Sequence, residues 1–107
     1  MSHQVLMLEE AEEDLVRIFQ YIARHDSPNR ARYVFDKLEE ACFSLQNLPE
    51  RGHVPPELEA FDMSSFREIH FKPYRIIYEI SGGTVYIHGV LDGRRDLQDL
   101  LESRLLR

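Results

Sequence analysis

The chain has 107 residues, of which 43% are hydrophobic and 30% are charged, and its formal net charge is −6. These values indicate one folded domain with a small core, residues 1–107, and exclude a disordered chain. No apolar run reaches the roughly 20 residues of a membrane span, and no secretory signal is visible at the N-terminus. We therefore expect a cytoplasmic protein without a membrane partner.

Positive charge is concentrated towards the C-terminus. Residues 1–65 contain 6 Lys and Arg against 13 Asp and Glu, a balance of −7, whereas residues 66–107 contain 7 against 6, a balance of +1. Proteins that bind nucleic acid through its phosphates usually carry a basic surface. The acidic composition of this chain therefore argues against such binding. The arginines of the C-terminal part are thus the candidates for contacts with an acidic or anionic partner.

The N-terminal half predicts a strand and two helices. Residues 4–8 are apolar enough for a short strand. The acidic run over residues 9–14 suits the positive end of a helix, and we interpret it as a solvated helix start. Apolar residues then recur at helical spacing, and Phe19 and Tyr21 widen the apolar face. The stripe consists of Ala11, Leu15, Ile18 and Ile22.

A second helix is predicted to begin at Ser27-Pro28, because serine caps helices and proline fits the first helical position. Its apolar stripe includes Cys42, which we expect to be a core residue; a single cysteine also excludes an internal disulfide. Pro49 is predicted to end this helix. The short connection around Ser27 predicts an antiparallel helix hairpin.

The C-terminal half predicts a long loop, three strands and a final helix. Residues 49–65 contain several prolines and little periodicity, and the pattern then changes to period two. Short turns at Pro73 and Gly82-Gly83 force antiparallel pairing. In the last strand, Leu91 is expected to lie on the same face as Val85 and Ile87. Val90 is expected to lie on the opposite face, with Tyr86 and His88. Residues 96–107, capped by Asp96, are expected to form a short helix, which completes an α+β fold.

Three segments resemble the RelE/ParE toxin superfamily. They read EAEEDLVRIFQYIARH, SFREIHFKPYRIIYEI and VYIHGVLDGRRDL, and the resemblance covers residues 5–101. The first is similar to the opening of ParE-type toxins, and the others are similar to the sheet region of the superfamily. The resemblance implies a toxin of a type II toxin–antitoxin system, neutralised by a small antitoxin that we expect along the outer faces of residues 9–48.

The resemblance implies two possible targets. RelE-like toxins cut messenger RNA on the ribosome, whereas ParE-like toxins inhibit or poison DNA gyrase. Of the RelE-type residues, Arg75 matches the arginine of the Tyr-Arg strand, and Arg95, or else Arg94, matches the arginine after the last strand. Glu68 and His70 fall near the lysine positions, and Leu101 falls near the tyrosine position.

The incomplete RNase set favours the ParE-like branch, a gyrase inhibitor that is not an enzyme. Four arginines are then predicted to contact the target: Arg67, Arg75, Arg94 and Arg95. If the chain is an RNase instead, the catalytic candidates are His70, Arg75 and Arg95. A third hypothesis is a degenerate module that binds an antitoxin and is not toxic.

Each candidate residue could also have a purely structural role. Arg75 could pair with Glu68 or another strand's acid, and the Arg94-Arg95 turn could be held by Asp96. His70 and His88 lie on predicted strands, where packing or solvation is common. We expect no cofactor, and no metal site either, because His3, His25 and His53 are scattered without ligand spacing.

Overall fold

The α+β architecture predicted from the sequence is confirmed by a computed structural model, which describes residues 2–59, 65–93 and 97–105. The elements are β1 (Gln4–Met7), α1 (Glu9–His25), α2 (Pro28–Ser44), α3 (Pro56–Glu59), β2 (Phe66–Phe71), β3 (Tyr74–Ser81), β4 (Thr84–Asp92) and α4 (Leu97–Leu100), which continues as a π-helical segment over Leu101–Leu105. Among the described residues, no helix is long and apolar enough to cross a membrane.

The four strands form one sheet in the order β1-β4-β3-β2. Strands β2, β3 and β4 form the predicted antiparallel meander, with Arg75 opposite His70 on one side and Leu91 on the other. Strand β1 pairs in parallel with β4. The N-terminal strand therefore closes one edge of the sheet, and β2 forms the other edge.

Helices α1 and α2 pack as an antiparallel hairpin on one face of the sheet. Ser27 caps α2 as predicted: its Oγ accepts the N–H of Arg30 at 3.0 Å, and Pro28 occupies the first helical position. Cys42 is buried in this core, and its burial, together with the Glu39 charge, raises the pKa of the thiol to about 12. The buried core between hairpin and sheet contains Ala11, Leu15, Ile22, Ala31, Val34, Leu38, Cys42, Leu45, Ile69, Ile76, Tyr78, Val85, Ile87 and Val90.

The opposite face of the sheet carries a second, smaller core. It consists of Leu58, Phe66, Ile77, Leu91 and Leu97. Leu58 comes from α3, a short helix within the segment 49–65 that the sequence predicted as a long loop. Leu97 comes from α4, the described beginning of the predicted C-terminal helix, whereas the predicted cap Asp96 lies outside the described residues.

The predicted alternation of β4 is wrong beyond Ile87. Tyr78 pairs with Ile87 but its neighbour Ile77 pairs with Gly89, so His88 is an extra residue in β4, a β-bulge. Because one inserted residue reverses the side-chain faces, Val90 joins Val85 and Ile87 in the larger core, and Leu91 turns to the smaller one.

Two predictions for α1 are also corrected. Asp14, interpreted as part of a solvated acidic helix start, has only 4% of its surface exposed, because it accepts hydrogen bonds from other parts of the chain. Tyr21, expected on the buried face, is 61% exposed. The other acidic side chains of the first turn do lie at the positive end of the helix.

Candidate functional site

Arg75 lies between two carboxylates on the face of the sheet that carries the smaller core. Its Nε and one terminal nitrogen donate to the two oxygens of Glu68 at 2.8 and 2.9 Å. Its terminal nitrogens donate to the two oxygens of Glu57 at 2.9 and 3.0 Å. The guanidinium thus makes two bidentate pairs at once, and only 14% of the side chain is exposed. The predicted alternative, a pair with Glu68, is what the structure shows.

Charge and burial fix the ionisation of this site. Burial raises the pKa of the Glu68 carboxyl, but the hydrogen bonds from Arg75 and His70 outweigh it and leave the pKa below its ordinary value. The hydrogen bond from Arg75 likewise lowers the pKa of Glu57. The hydrogen bonds that Arg75 donates to both carboxylates raise the pKa of Arg75. Two negative charges against one positive charge leave this group with a net charge of −1.

Two imidazoles complete what we call the Glu68 cluster: His53, Glu57, Glu68, His70 and Arg75. His70 Nε2 lies 2.7 Å from Glu68 Oε1, and His53 Nε2 lies 3.6 Å from Glu68 Oε2. The backbones of His53 and Glu68 exchange two hydrogen bonds, of 3.1 and 2.8 Å, which bring the loop alongside β2. The position of His53 in the sequence shows no ligand spacing, and it is this bridge to β2 that places its side chain beside Glu68 and His70.

Arg67, a predicted target contact, reaches the loop before α3. Its NH1 donates to the carbonyl of Gly52 at 2.8 Å and, more weakly, to that of Glu50 at 3.4 Å. Tyr78 holds the same loop, because its hydroxyl donates to the Pro49 carbonyl at 2.7 Å and accepts the Gly52 N–H at 3.1 Å. A Cβ at Gly52 would lie 2.6 Å from that hydroxyl, so the close approach requires glycine.

Arg94 and Arg95, two further predicted target contacts, lie outside the described residues. Gly93, which precedes them, donates its N–H to the Pro73 carbonyl at 2.7 Å. A Cβ on Gly93 would lie 2.9 Å from that carbonyl oxygen. The chain thus leaves β4 in close contact with the β2–β3 turn.

A second charged cluster, which the sequence did not reveal, joins α1 to the C-terminal segment. Asp14 accepts the backbone N–H of Val90 at 2.9 Å and both terminal nitrogens of Arg104 at 2.7 Å. Arg17 also pairs with Asp14, and Arg104 Nε lies 3.2 Å from Glu10. Asp14 and Arg104 are 90 positions apart, so no local pattern indicated their pairing.

A groove of about 680 Å³ runs between α1 and the adjoining ends of β3 and β4. Its lining combines apolar side chains, among them Tyr21 and Val90, with the cationic side chains of Arg17 and Arg24. The groove and the Glu68 cluster share no lining residue. The described surface therefore offers two separate sites, one apolar with cations and one acidic with imidazoles.

Solved structures with this architecture define its class. The chromosomal ParDE TA system from P. aeruginosa aligns with a TM-score of 0.71 and 16% identity over 85% of this chain and 96% of that one. The toxin–antitoxin complex RelBE2 from Mycobacterium tuberculosis aligns with a TM-score of 0.61 and 22% identity, over 86% of this chain and 92% of that one. A double mutant of E. coli toxin RelE in the free state aligns with a TM-score of 0.64 and 12% identity, over 99% of this chain and 96% of that one. The fold is that of the RelE and ParE toxins.

Sequence comparison specifies the family. The model of the family described as "ParE toxin of type II toxin-antitoxin system, parDE" matches residues 5–97. Toxin ParE3 of Caulobacter vibrioides is 26% identical over 84 residues, which cover 78% of this chain and 80% of that protein. The chain therefore belongs to the ParE toxin family, and the predicted ParE-like resemblance is confirmed.

Proposed function

We propose that this toxin acts by binding DNA gyrase in the cytoplasm and has no nuclease activity of its own. Membership of the ParE toxin family supports the hypothesis that the protein is a toxin. The double bidentate pairing of Arg75 with Glu57 and Glu68 carries the part of the proposal that denies nuclease activity. These ion pairs within the chain argue against the hypothesis that it is an RNase.

Cleavage of RNA through a 2′-hydroxyl needs cations that stabilise a developing phosphorane and a base that takes up the hydroxyl proton. The four hydrogen bonds of Arg75 go to carboxylates of the same chain, so its guanidinium is already engaged and is not oriented towards a phosphate. His70, the candidate base, lies 2.7 Å from the Glu68 carboxylate, a pairing that a general base can also have, so the engagement of Arg75 is what argues against cleavage. This group is therefore built to hold the sheet and α3 together, and we assign Arg75 a positioning role.

Target recognition is assigned to the remaining predicted arginines, Arg67, Arg94 and Arg95. Arginine suits such a contact because its planar guanidinium pairs bidentately with acidic groups. The antitoxin is proposed to cover the helix hairpin, whose surface exposes several large hydrophobic side chains. These are Val16, Tyr21, Tyr33 and Phe43.

Controlled expression in bacteria without an antitoxin tests the assignment of the arginines. The wild type is expected to arrest growth, and Arg94→Ala/Arg95→Ala is expected to relieve the arrest because it removes two cations from the target contact. Arg30→Ala/Arg32→Ala is the matched control, since it removes two exposed cations from α2 and is expected to remain toxic. Circular dichroism verifies that both variants are folded.

Other outcomes of this experiment would overturn parts of the proposal. A folded Arg94/Arg95 double variant with full toxicity removes these residues from target binding. Messenger RNA cut at codons in the arrested cells, and suppressed by His70→Ala, would establish the RNase reading. Normal growth of cells that contain the soluble wild-type protein would support the third hypothesis, a non-toxic module that only binds an antitoxin.

A further inference from the structure

We propose that His53, Glu68 and His70 form a binding site for a divalent transition-metal ion, with Zn²⁺ as the best-fitting ion. The potential ligand atoms of these three side chains all lie within 4.8 Å of one another. Two imidazoles and one carboxylate form a donor set that suits Zn²⁺, which accepts both nitrogen and oxygen ligands. The proposal concerns binding alone and does not depend on the identity of the toxin's target.

The backbone prearranges the three ligands. His53 and Glu68 are directly opposite each other in a two-hydrogen-bond bridge, so their side chains leave the same face. His70 follows Glu68 by two residues on β2, and alternate residues of a strand share a face. The tight contacts at Gly52, next to His53, fix the loop from which His53 projects. Little ordering of the chain is therefore left for the ion to impose.

The distances agree with a common ion. Tetrahedral Zn²⁺ ligands at about 2.0–2.2 Å from the metal lie about 3.3 Å from one another. The 3.6 Å between His53 Nε2 and Glu68 Oε2 is close to this spacing. The 2.7 Å contact of His70 Nε2 is with the other oxygen, Oε1, so His70 has to turn towards an ion bound beside Oε2; one ligand atom from each of the three residues already lies within 4.8 Å of the other two. A rotation of the imidazole, whose side chain is 43% exposed, provides this movement.

The pairing of Glu68 with Arg75 leaves the carboxylate able to bind metal. A carboxylate offers about four lone-pair sites, and Arg75 occupies one on each oxygen. The remaining sites face His70 on Oε1 and His53 on Oε2. The positive charge of Arg75 is matched by Glu57 at 2.9 Å, so the charge of Glu68 remains to attract a cation. Arg75 would then orient the ligand carboxylate from the second coordination shell.

The site is open to solvent on its outer side. It lies in a surface pocket of about 400 Å³ that is lined by Arg51, Gly52, His53, Glu68, Ile69 and His70. A bound ion would have three protein ligands and one position left for water. It would also crosslink the loop around His53 to the edge strand β2, and so stabilise the folded state.

Calorimetric titration with ZnCl₂, on protein without a polyhistidine tag, tests the proposal. We expect one ion per chain for the wild type, and at least a tenfold loss of affinity for His53→Ala and for His70→Ala, because each removes a ligand. His25→Ala is the matched control: this exposed imidazole lies on α1, contacts Tyr21, and is expected to leave the affinity within about twofold.

Thermal unfolding provides a second measurement that does not rely on calorimetric heat. Saturating Zn²⁺ is expected to raise the Tm of the wild type and of His25→Ala, and to raise the Tm of both ligand variants by a clearly smaller amount. An absence of saturable binding would overturn the proposal. So would binding by His53→Ala and His70→Ala with the affinity of the wild type, since the ion would then occupy another place on the chain.

Discussion

Glu68 and Arg75 illustrate how one pair of side chains determines what this face of the protein can do. Glu68 is 1% exposed, and a carboxylate in such a position is tolerated only when charges and hydrogen bonds compensate its lost hydration. Arg75 supplies that compensation and is itself held by Glu57. The arginine that the sequence singled out as functional is thus required first for the structure.

Removing this guanidinium is expected to destabilise the protein strongly. Arg75→Ala leaves a buried carboxylate without its counter-charge, and the free energy of unfolding should fall by about 3–5 kcal/mol. Arg32→Ala, which breaks only a 4.0 Å pair on the exposed side of α2, should cost less than about 1 kcal/mol. Urea denaturation of both variants measures the difference, and equal small losses would show that Arg75 does not stabilise the fold.

The same carboxylates make stability depend on pH. The folded-state pKa values of Glu57 and Glu68 lie below their ordinary value of 4.5, so the folded protein binds fewer protons than the unfolded chain. Their contribution is complete above that ordinary value and is lost as the pH falls through the lowered folded values. Stability should therefore decline as the pH falls below about 5.

A single substitution tests this source of the acid sensitivity. Glu57→Gln removes one of the two linked carboxyls, and its stability should decline less steeply with falling pH than that of the wild type. Glu40→Gln is the control, because Glu40 is exposed and lies 3.8 Å from Lys37. Parallel pH profiles for the wild type and Glu57→Gln, from urea denaturation, would refute the assignment.

Among the secondary-structure elements, the π-helical segment Leu101–Leu105 is tied to α1 by the side chain of Arg104. Arg104 carries the contact of the π-helical segment with α1, through paired hydrogen bonds to Asp14, and it also donates to the His88 carbonyl in the β-bulge at 3.3 Å. The hydrogen bonds to Asp14 raise the pKa of Arg104, so the guanidinium stays charged. The bulge, α1 and the C-terminal segment therefore meet at one buried carboxylate.

Arg104→Ala is expected to release this segment while the sheet stays folded. Amide hydrogen exchange over residues 97–105 should become at least tenfold faster, whereas exchange in β3 should change much less. Arg24→Ala, an exposed arginine on α1, should leave both regions unchanged. Unaltered exchange over residues 97–105 in Arg104→Ala would show that other contacts hold the segment.

The elements that the sequence predicted correctly are those set by local patterns. The two helices follow from 3.6-residue periodicity with a cap at Ser27, and the meander follows from alternation and short turns. The bulge at His88 was missed because the apolar run around Val90 and Leu91 fits either register. Helix α3 was missed because a single turn within a proline-rich loop has no detectable period.

In the molecule as a whole, the missed features join distant parts of the chain. Glu68 was correctly considered as a partner of Arg75, since neighbouring strands were predicted to pair. Glu57, His53 and Arg104 reach their partners through loop and terminal segments, whose positions no periodicity specifies. Likewise, the pairing of β1 with β4 joins the two ends of the fold and depends on packing of the whole hairpin.

The proposal that this ParE-family toxin binds and inhibits DNA gyrase is tested by a supercoiling assay with purified protein. Increasing amounts of the toxin are added to gyrase, ATP and relaxed plasmid, in parallel with ribosomes programmed with messenger RNA. We expect loss of supercoiling and intact messenger RNA, and Arg30→Ala/Arg32→Ala should inhibit like the wild type. Full supercoiling at every toxin concentration, together with cut messenger RNA, would contradict the proposal.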